Sequence, residues 1–298
     1  MNVVITGGAG FIGSHLVDAL ALNGETVTVL DHIPQNEAWR LPQTNIAYRC
    51  ADVRDPIAVR DAIRNCNIVF HLAGLLGTDT LVHAPREALM TNVVGTLNVL
   101  DALRETDATM VNVSLLPDWD TTYMITKQAA SKFCLMYWKE FSVRVVDLRL
   151  THIYGPRQLW APVRKAIPSI VRSALLGEPI EIFGNGMQTM DLLHVDDAVR
   201  AICSAGFEST AIGKRIEVGY GETLALNSVV DIILELTRSR SPVKCVGRRP
   251  GEPEDSGMFR GADVEQQRSI LRIEPRIELR VGLERTIQWV GSYLSKGG

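Results

Sequence analysis

The chain predicts an α/β fold: a doubly wound parallel sheet with helices on both faces, followed by a smaller C-terminal lobe. Three observations predict it. Short β-branched runs alternate with helical patterns over the first 150 residues, a glycine-rich turn joins the first run to the first helix, and the rhythm breaks after residue 157 amid Pro156, Pro162, Pro168 and Pro179. Such alternation gives a parallel sheet covered on both faces. Strands buried on both faces read as continuously apolar, as "NVVIT" and "NIVFHLA" do.

In order, strands are expected at 2–6, 26–31, 46–53, 67–73, 109–114 and 143–150, with helices at Phe11–Leu22, Pro56–Arg64, Arg86–Arg104 and Thr122–Phe141. Residues 1–157 make the first domain and 158–298 the smaller lobe, with a segment at about 193–222 returning to the main sheet through the helix "VDDAVRAICSAGF" and the strand "RIEVG". In the lobe, "GEPIEIFGNGMQTMDLLHV" reads as short strands around a Gly-rich turn, and "LNSVVDIILELT" as a helix.

With 298 residues and 46% apolar composition the chain buries a large core. Thirty-one basic against 34 acidic residues leave a net charge of −3. No field of that size draws a nucleic acid or an anionic membrane. Five cysteines, with no CxxC pair, argue against a disulfide framework. His15, His71 and His194 accompany no ligand cluster, so no metal is expected. The N-terminus lacks a basic region and a long apolar run, so a cytoplasmic protein is expected.

The stretch "VVITGGAGFIGSHL" carries Gly7, Gly10 and Gly13 between strand and helix. Glycines there let the backbone turn tightly and approach a pyrophosphate at a helix N-terminus, where free N–H groups and the dipole favour anions. Asp31 follows Gly13 by eighteen residues at the end of the second strand. An acid there accepts hydrogen bonds from ribose hydroxyls and repels a 2′-phosphate, which favours NAD over NADP; the alternative is a loop cap. Asp52 in "ADVRD" is the candidate partner of the adenine amino group.

Taken in order, "TGGAGFIG", "ADVRD", "HLAG", "TNVVGTLNVL", "YMITK", "LRLTHIYGPR", "GNGMQTMDLLHVDDAVRA", "RRPGEPE" and "GLERTIQW" resemble the extended short-chain dehydrogenase/reductase family of sugar-nucleotide epimerases and dehydratases, over nearly the whole chain. The resemblance implies a Rossmann-type domain holding NAD through Gly7, Gly10, Phe11, Ile12, Gly13, Asp31, Asp52, Val53, Leu72, Ala73, Gly74 and Asn92. It makes Tyr123 and Lys127 catalytic and Lys127 a further cofactor ligand, where an isolated pair at this spacing would be a solvated helix face. A cation about 5 Å from the phenol, at an effective dielectric of ~20, is worth roughly 3 kcal/mol, which brings the phenol to about 8. Asn92 reads equally as the family's helix asparagine or as a buried residue satisfying backbone.

The sequence departs from the family's pattern in places. Leu116 stands where the catalytic hydroxyl is expected, and eight residues separate Ser114 from Tyr123. Ser114 is the favoured replacement, with Thr121 and Thr122 as alternatives and Thr122 also a candidate N-cap. Met190 occupies a usual arginine position and His152 a usual asparagine position; His152 either donates to a diphosphate or fills a polar gap. Arg249 matches the family's later diphosphate arginine, and Arg157, Arg164 and Lys165 are possible substitutes for the lost one.

The family's dehydratases carry an acidic pair that "SLLPDW" lacks, and a net reductase fits NADPH better than Asp31 allows. The expected activity is thus NAD-dependent epimerisation of a nucleotide-diphosphate sugar, through transient oxidation at C4. A decarboxylase or dehydratase of such a substrate is the alternative. A catalytically weakened NAD-binding sensor or scaffold is an alternative of another class. Leu97, Leu100, Phe133, Met136 and Tyr137 are apolar beyond what one sheet face needs, and the resemblance implies that the helices carrying them pair between two copies, so a homodimer is expected.

Overall fold

The computed structural model describes residues 1–39, 45–116, 120–249, 251 and 259–297. Its first half alternates strand and helix: β1 (Asn2–Thr6), α1 (Phe11–Leu22), β2 (Thr26–Asp31), β3 (Ile46–Cys50), α2 (Pro56–Ile63), β4 (Ile68–His71), α3 (Pro85–Leu89), α4 (Gly95–Leu103), β5 (Thr109–Leu115), α5 (Thr122–Phe141) and β6 (Val145–Leu150). The smaller lobe adds β7 (His152–Tyr154), α6 (Ala166–Leu176), β8 (Ile180–Phe183), β9 (Thr189–Met190) and β10 (Leu192–His194). The chain continues through α7 (Val195–Phe207), β11 (Arg215–Val218), β12 (Leu224–Ala225), α8 (Leu226–Thr237), β13 (Val243–Val246), α9 (Glu265–Ser269) and α10 (Leu279–Ser295).

Seven parallel strands form one sheet in the order β11-β6-β5-β4-β1-β2-β3. Side chains alternate across the pleat. Val3, Ile5, Ile68 and Phe70 therefore pack under α1 and α7, while Val4, Val69, Met110 and Val145 pack under α2, α4 and α5. The doubly wound architecture is the one the alternation predicts. The β11 strand returns to this sheet beside β6. A third core joins α6, α8, α10 and β8 through Ile170, Val171, Ile180, Val229, Ile233 and Leu283. No described helix is long and apolar enough to cross a membrane.

Local chemistry sets several boundaries. Asp55 caps α2, accepting from Ile57 N at 2.9 Å and Ala58 N at 3.2 Å, with Pro56 in the first turn. The cap of α5 is Thr121, whose Oγ1 accepts from Met124 N at 3.2 Å, and not Thr122, which is already inside the helix. The single helix expected over Arg86–Arg104 is broken: α3 and α4 flank a π-helical turn at Met90–Val94. There Thr96 Oγ1 donates to Asn92 O at 2.7 Å, and the Asn92 side chain is engaged outside the helix. Such turns appear where a side chain must be aimed at a partner beyond the helix.

Leu100 and Tyr137 are not surplus surface; both are buried in the core between the sheet and α2, α4 and α5. Leu97 and Phe133 are partly buried against the same core, whereas Met136 is exposed as expected, and Leu89, Met90, Ile125, Trp138 and Phe141 are exposed with it along α3, the π-helical turn and α5.

Candidate active site

A cleft of about 870 Å³ runs along the carboxyl ends of the strands and on between the sheet and the smaller lobe. Parallel sheets place ligands at this edge because helix N-termini and strand-end loops converge there. Its floor is the glycine loop. Gly7 sits at φ +74°, and a Cβ on it would lie 2.7 Å from Ala73 N. A Cβ on Gly13 would lie 2.1 Å from Gly7 O. Only glycine fits either position. Helix α1 begins at Gly10 with no side-chain cap, so the N–H groups at its first turn, from residues that line the cleft, face it unclaimed by any side chain. This cradle fits a pyrophosphate.

Gly7, Gly10, Phe11, Ile12, Gly13, Asp31, Asp52, Val53, Leu72, Ala73 and Gly74 all line the cleft. Asp31 is buried; its carboxylate accepts from Ala9 N at 2.9 Å and Ile33 N at 3.1 Å, tying the glycine loop to the end of β2. Asp52 is gripped by Arg54, with contacts of 2.6 to 3.0 Å, and the guanidinium holds its carboxyl below the usual range. An adenine bound there would compete with Arg54 for the same oxygens. Asn92 does not line the cleft. It is buried, accepting from Leu75 N at 2.7 Å and donating to Leu75 O at 3.0 Å and Thr126 Oγ1 at 3.0 Å. It holds the strand-end loop that does line the cleft, which is the backbone-satisfying reading of this residue.

Ser114, Tyr123 and Lys127 lie on one wall of the cleft. Ser114 ends up there because β5 delivers it to the carboxyl edge, while Leu116 is buried and hydrogen-bonds backbone to Leu150 O at 2.9 Å. Thr121 and Thr122 are not on the wall. The expected acidity of Tyr123 is not what the fold produces. Burial pushes the phenol up to about 12 and draws the Lys127 ammonium down to about 8. Desolvation is the largest influence on both groups.

The lobe side of the cleft carries Arg164, Lys165, Arg249, His152 and Met190. Arg164 pairs with Glu181 at 3.2 Å and lies over the Phe183 ring, 4.7 Å from its centroid. Arg249 reaches Asp79 at 3.4 Å, across 170 residues of sequence. Burial and the Arg249 guanidinium bring Lys165 down to about 8. His152 stands edge-on to Phe259, with its Nδ1 buried and unpartnered among the described residues. Burial lowers its pKa to about 4, so at neutral pH it offers a neutral N–H and no charge. Arg157 is absent from the cleft wall: its guanidinium is drawn to Asp18 of α1 at 2.7 Å. Residues 250 and 252–254 of the "RRPGEPE" stretch lie outside the described residues.

The counter-ions Asp79 and Glu181 had no signal in the sequence, since nothing in the spacing marks them as partners of Arg249 and Arg164. Thr78, Phe183 and Gln188 likewise line the cleft without a signal in the sequence.

Residues 3–115 and 117–219 match the NAD dependent epimerase/dehydratase family. A UDP-N-acetyl-alpha-D-glucosaminuronate decarboxylase of Bacillus cytotoxicus is 29% identical over 96% of both chains. Among solved structures, an epimerase of Methanothermobacter thermautotrophicus superposes with a TM-score of 0.92 at 26% identity, over 99% of this chain and 93% of that one. MoeE5 in complex with UDP-glucose and NAD superposes at 0.88 with 30% identity, over 99% of this chain and all of that one. A match over well more than half the chain, together with a cradle shaped for a pyrophosphate, leads to one conclusion: the chain belongs to the NAD dependent epimerase/dehydratase family, with NAD as its cofactor.

Proposed function

We propose that the chain is an epimerase of a nucleotide-diphosphate sugar that oxidises the sugar transiently, at C4, and restores it with inverted configuration. What supports the reading is the placement of Ser114, Tyr123 and Lys127 on one wall beside the glycine cradle. Bound NAD supplies reversible hydride acceptance. Tyr123 takes the proton of the hydroxyl on the oxidised carbon in its phenolate form, the minor form of a phenol that burial pushes up to about 12, and returns it after the sugar has turned its other face. Lys127, cationic below about 8, stabilises the phenolate while that proton is away. Ser114 donates a hydrogen bond to the same substrate oxygen, a contact worth on the order of 3 kcal/mol in the transition state. Arg249 and Lys165 meet the diphosphate in the absence of an arginine at Met190.

A second reading, decarboxylation of a nucleotide-linked uronic acid, is favoured by the Bacillus cytotoxicus relative and by three cationic side chains at the lobe side of the cleft. Incubation with UDP-, GDP-, CDP- and dTDP-sugars and with UDP-glucuronic acid, followed by proton NMR, separates the two. Inversion at C4 with carbon retained supports the epimerase; loss of carbon dioxide replaces it with the decarboxylase; no product from any substrate sinks both. We also propose a homodimer through α4 and α5, supported by exposed Met136, Trp138 and Phe141. Light scattering near 33 kDa at micromolar concentration would overturn it.

A further inference from the structure

A row of polar side chains crosses the sheet beneath the helix that carries Tyr123 and Lys127. Strand register sets Thr6 beside His71, His71 beside Asn112, Asn112 beside Asp147 and Asp147 beside Arg215. All five face the α4 and α5 side, where neighbouring positions such as Val4, Val69, Met110 and Val145 are apolar core. Polar groups in such a place cost free energy unless they are paired. Most of these are: His71 bridges Thr6 Oγ1 at 2.7 Å and Thr96 Oγ1 at 2.9 Å, and Asn112 Nδ2 donates to Asp147 at 2.7 Å, while Asn112 Oδ1 is unpartnered among the described residues. Asp147, wholly buried, also accepts from Arg215 Nε at 2.9 Å and from the Ser131 hydroxyl, to which Arg215 donates at 2.8 Å.

Ser131 lies one turn beyond Lys127 on α5, so positions 123, 127 and 131 form one stripe of that helix. We propose that Asp147 is a positioning residue for Lys127: held by Asn112, Ser131 and Arg215, it supplies the negative charge that faces the buried ammonium from beneath α5 and keeps it cationic. The catalytic meaning of this rests on the reading of Tyr123 and Lys127 given above.

The charges around Lys127 single out Asp147. On α5, Tyr123 is a neutral phenol, and Cys134, which as a thiolate would favour the Lys127 ammonium more than Asp147 does, stays a neutral thiol because burial raises it well above its usual range. On β4, burial lowers His71 to about 3, so it is neutral. On β11, Arg215 is spent on Asp147 and Ser131. Asp147 on β6 is the anion that reaches Lys127 and opposes its desolvation. An arginine alone beneath Lys127 would have the opposite effect, so the carboxylate, held against Ser131 one turn from Lys127, sets the sign of the charge that the ammonium meets.

The test reads Lys127 directly, without substrate. In protein labelled with 13C at the lysine ε-carbons, the Lys127 resonance is assigned by its loss in Lys127→Met and followed against pH. Asp147→Asn is expected to lower its midpoint by about one pH unit, which is about a tenfold smaller ammonium-to-amine ratio at a given pH. Arg215→Gln, which releases the carboxylate from its competitor, is expected to raise it. Ser131→Ala, which removes a hydrogen bond but no charge, is expected to leave the midpoint in place while lowering the thermal midpoint. The proposal is overturned if Asp147→Asn leaves Lys127 unmoved, or if Ser131→Ala moves it as far. Should Asp147→Asn fail to fold, Arg215→Gln decides: a raised midpoint supports the proposal and an unchanged one ends it. A responsive Lys127 in a protein that turns over no nucleotide sugar would count against the proposed function and leave the role of Asp147 standing.

Discussion

The two walls of the cleft recognise charge by different means. The sheet-side wall meets a pyrophosphate with backbone N–H groups on a turn so tight that a single methyl at Gly13 would stand 2.1 Å from Gly7 O. The lobe-side wall offers long cationic side chains, two of which hold counter-ions, Glu181 on Arg164 and Asp79 on Arg249. A backbone site is fixed by the fold and tolerates almost no substitution. A site of exchangeable ion pairs is retuned by single residues, and here it carries Lys165 and Met190 beside its arginines. The cofactor was therefore legible from a motif, and the substrate was not.

Breaking the sheet-side wall is expected to have the largest effect. Gly13→Ala should abolish NAD binding measured by calorimetry, or prevent folding; full affinity would show that the cradle is looser than its contacts imply. Tyr123→Phe should leave NAD affinity intact while lowering kcat by about 10² to 10⁴-fold. Ser114→Ala should lower kcat by roughly 10²-fold with little change in KM. An unaffected enzyme would mean that another hydroxyl serves.

The pH profile sharpens the same wall. The folded pKa of Lys127 is lowered to about 8, so the ammonium is present below that pH and lost as pH rises through it. Turnover should accordingly fall above about pH 8, by about tenfold per unit at the steepest. A rate that keeps rising to pH 10 would show that Lys127 need not be charged. The smallest effect is expected on the other wall. Asp79→Asn frees Arg249 and should lower the KM for the nucleotide sugar a few-fold, whereas Arg249→Met should raise it about tenfold, both without change in NAD affinity. An altered NAD affinity would mean that the two walls are not separable.

Much of the fold was readable because its signals are local. The bounds of α1, α5, α7 and α8 follow from apolar spacing and from the residues that flank each helix. The π-helical turn at Met90–Val94 was not readable, and the contact its Asn92 makes, accepting from Leu75 N, joins residues that only the tertiary fold brings together. Arg157 was misplaced for the same reason: its neighbour in sequence is the cleft, but its neighbour in space is Asp18.

By itself the sequence determined the parallel sheet, the glycine cradle and the spacing of Tyr123 and Lys127, since each depends on residues within a few turns of one another. Only the tertiary structure decided which groups would keep their charge. Burial raised the Tyr123 phenol where proximity to Lys127 alone would have lowered it, and strand register set Asp147 beside Asn112 and Arg215 in the middle of an apolar sheet. Desolvation and counter-ions act through space, over distances that the order of residues along the chain does not encode.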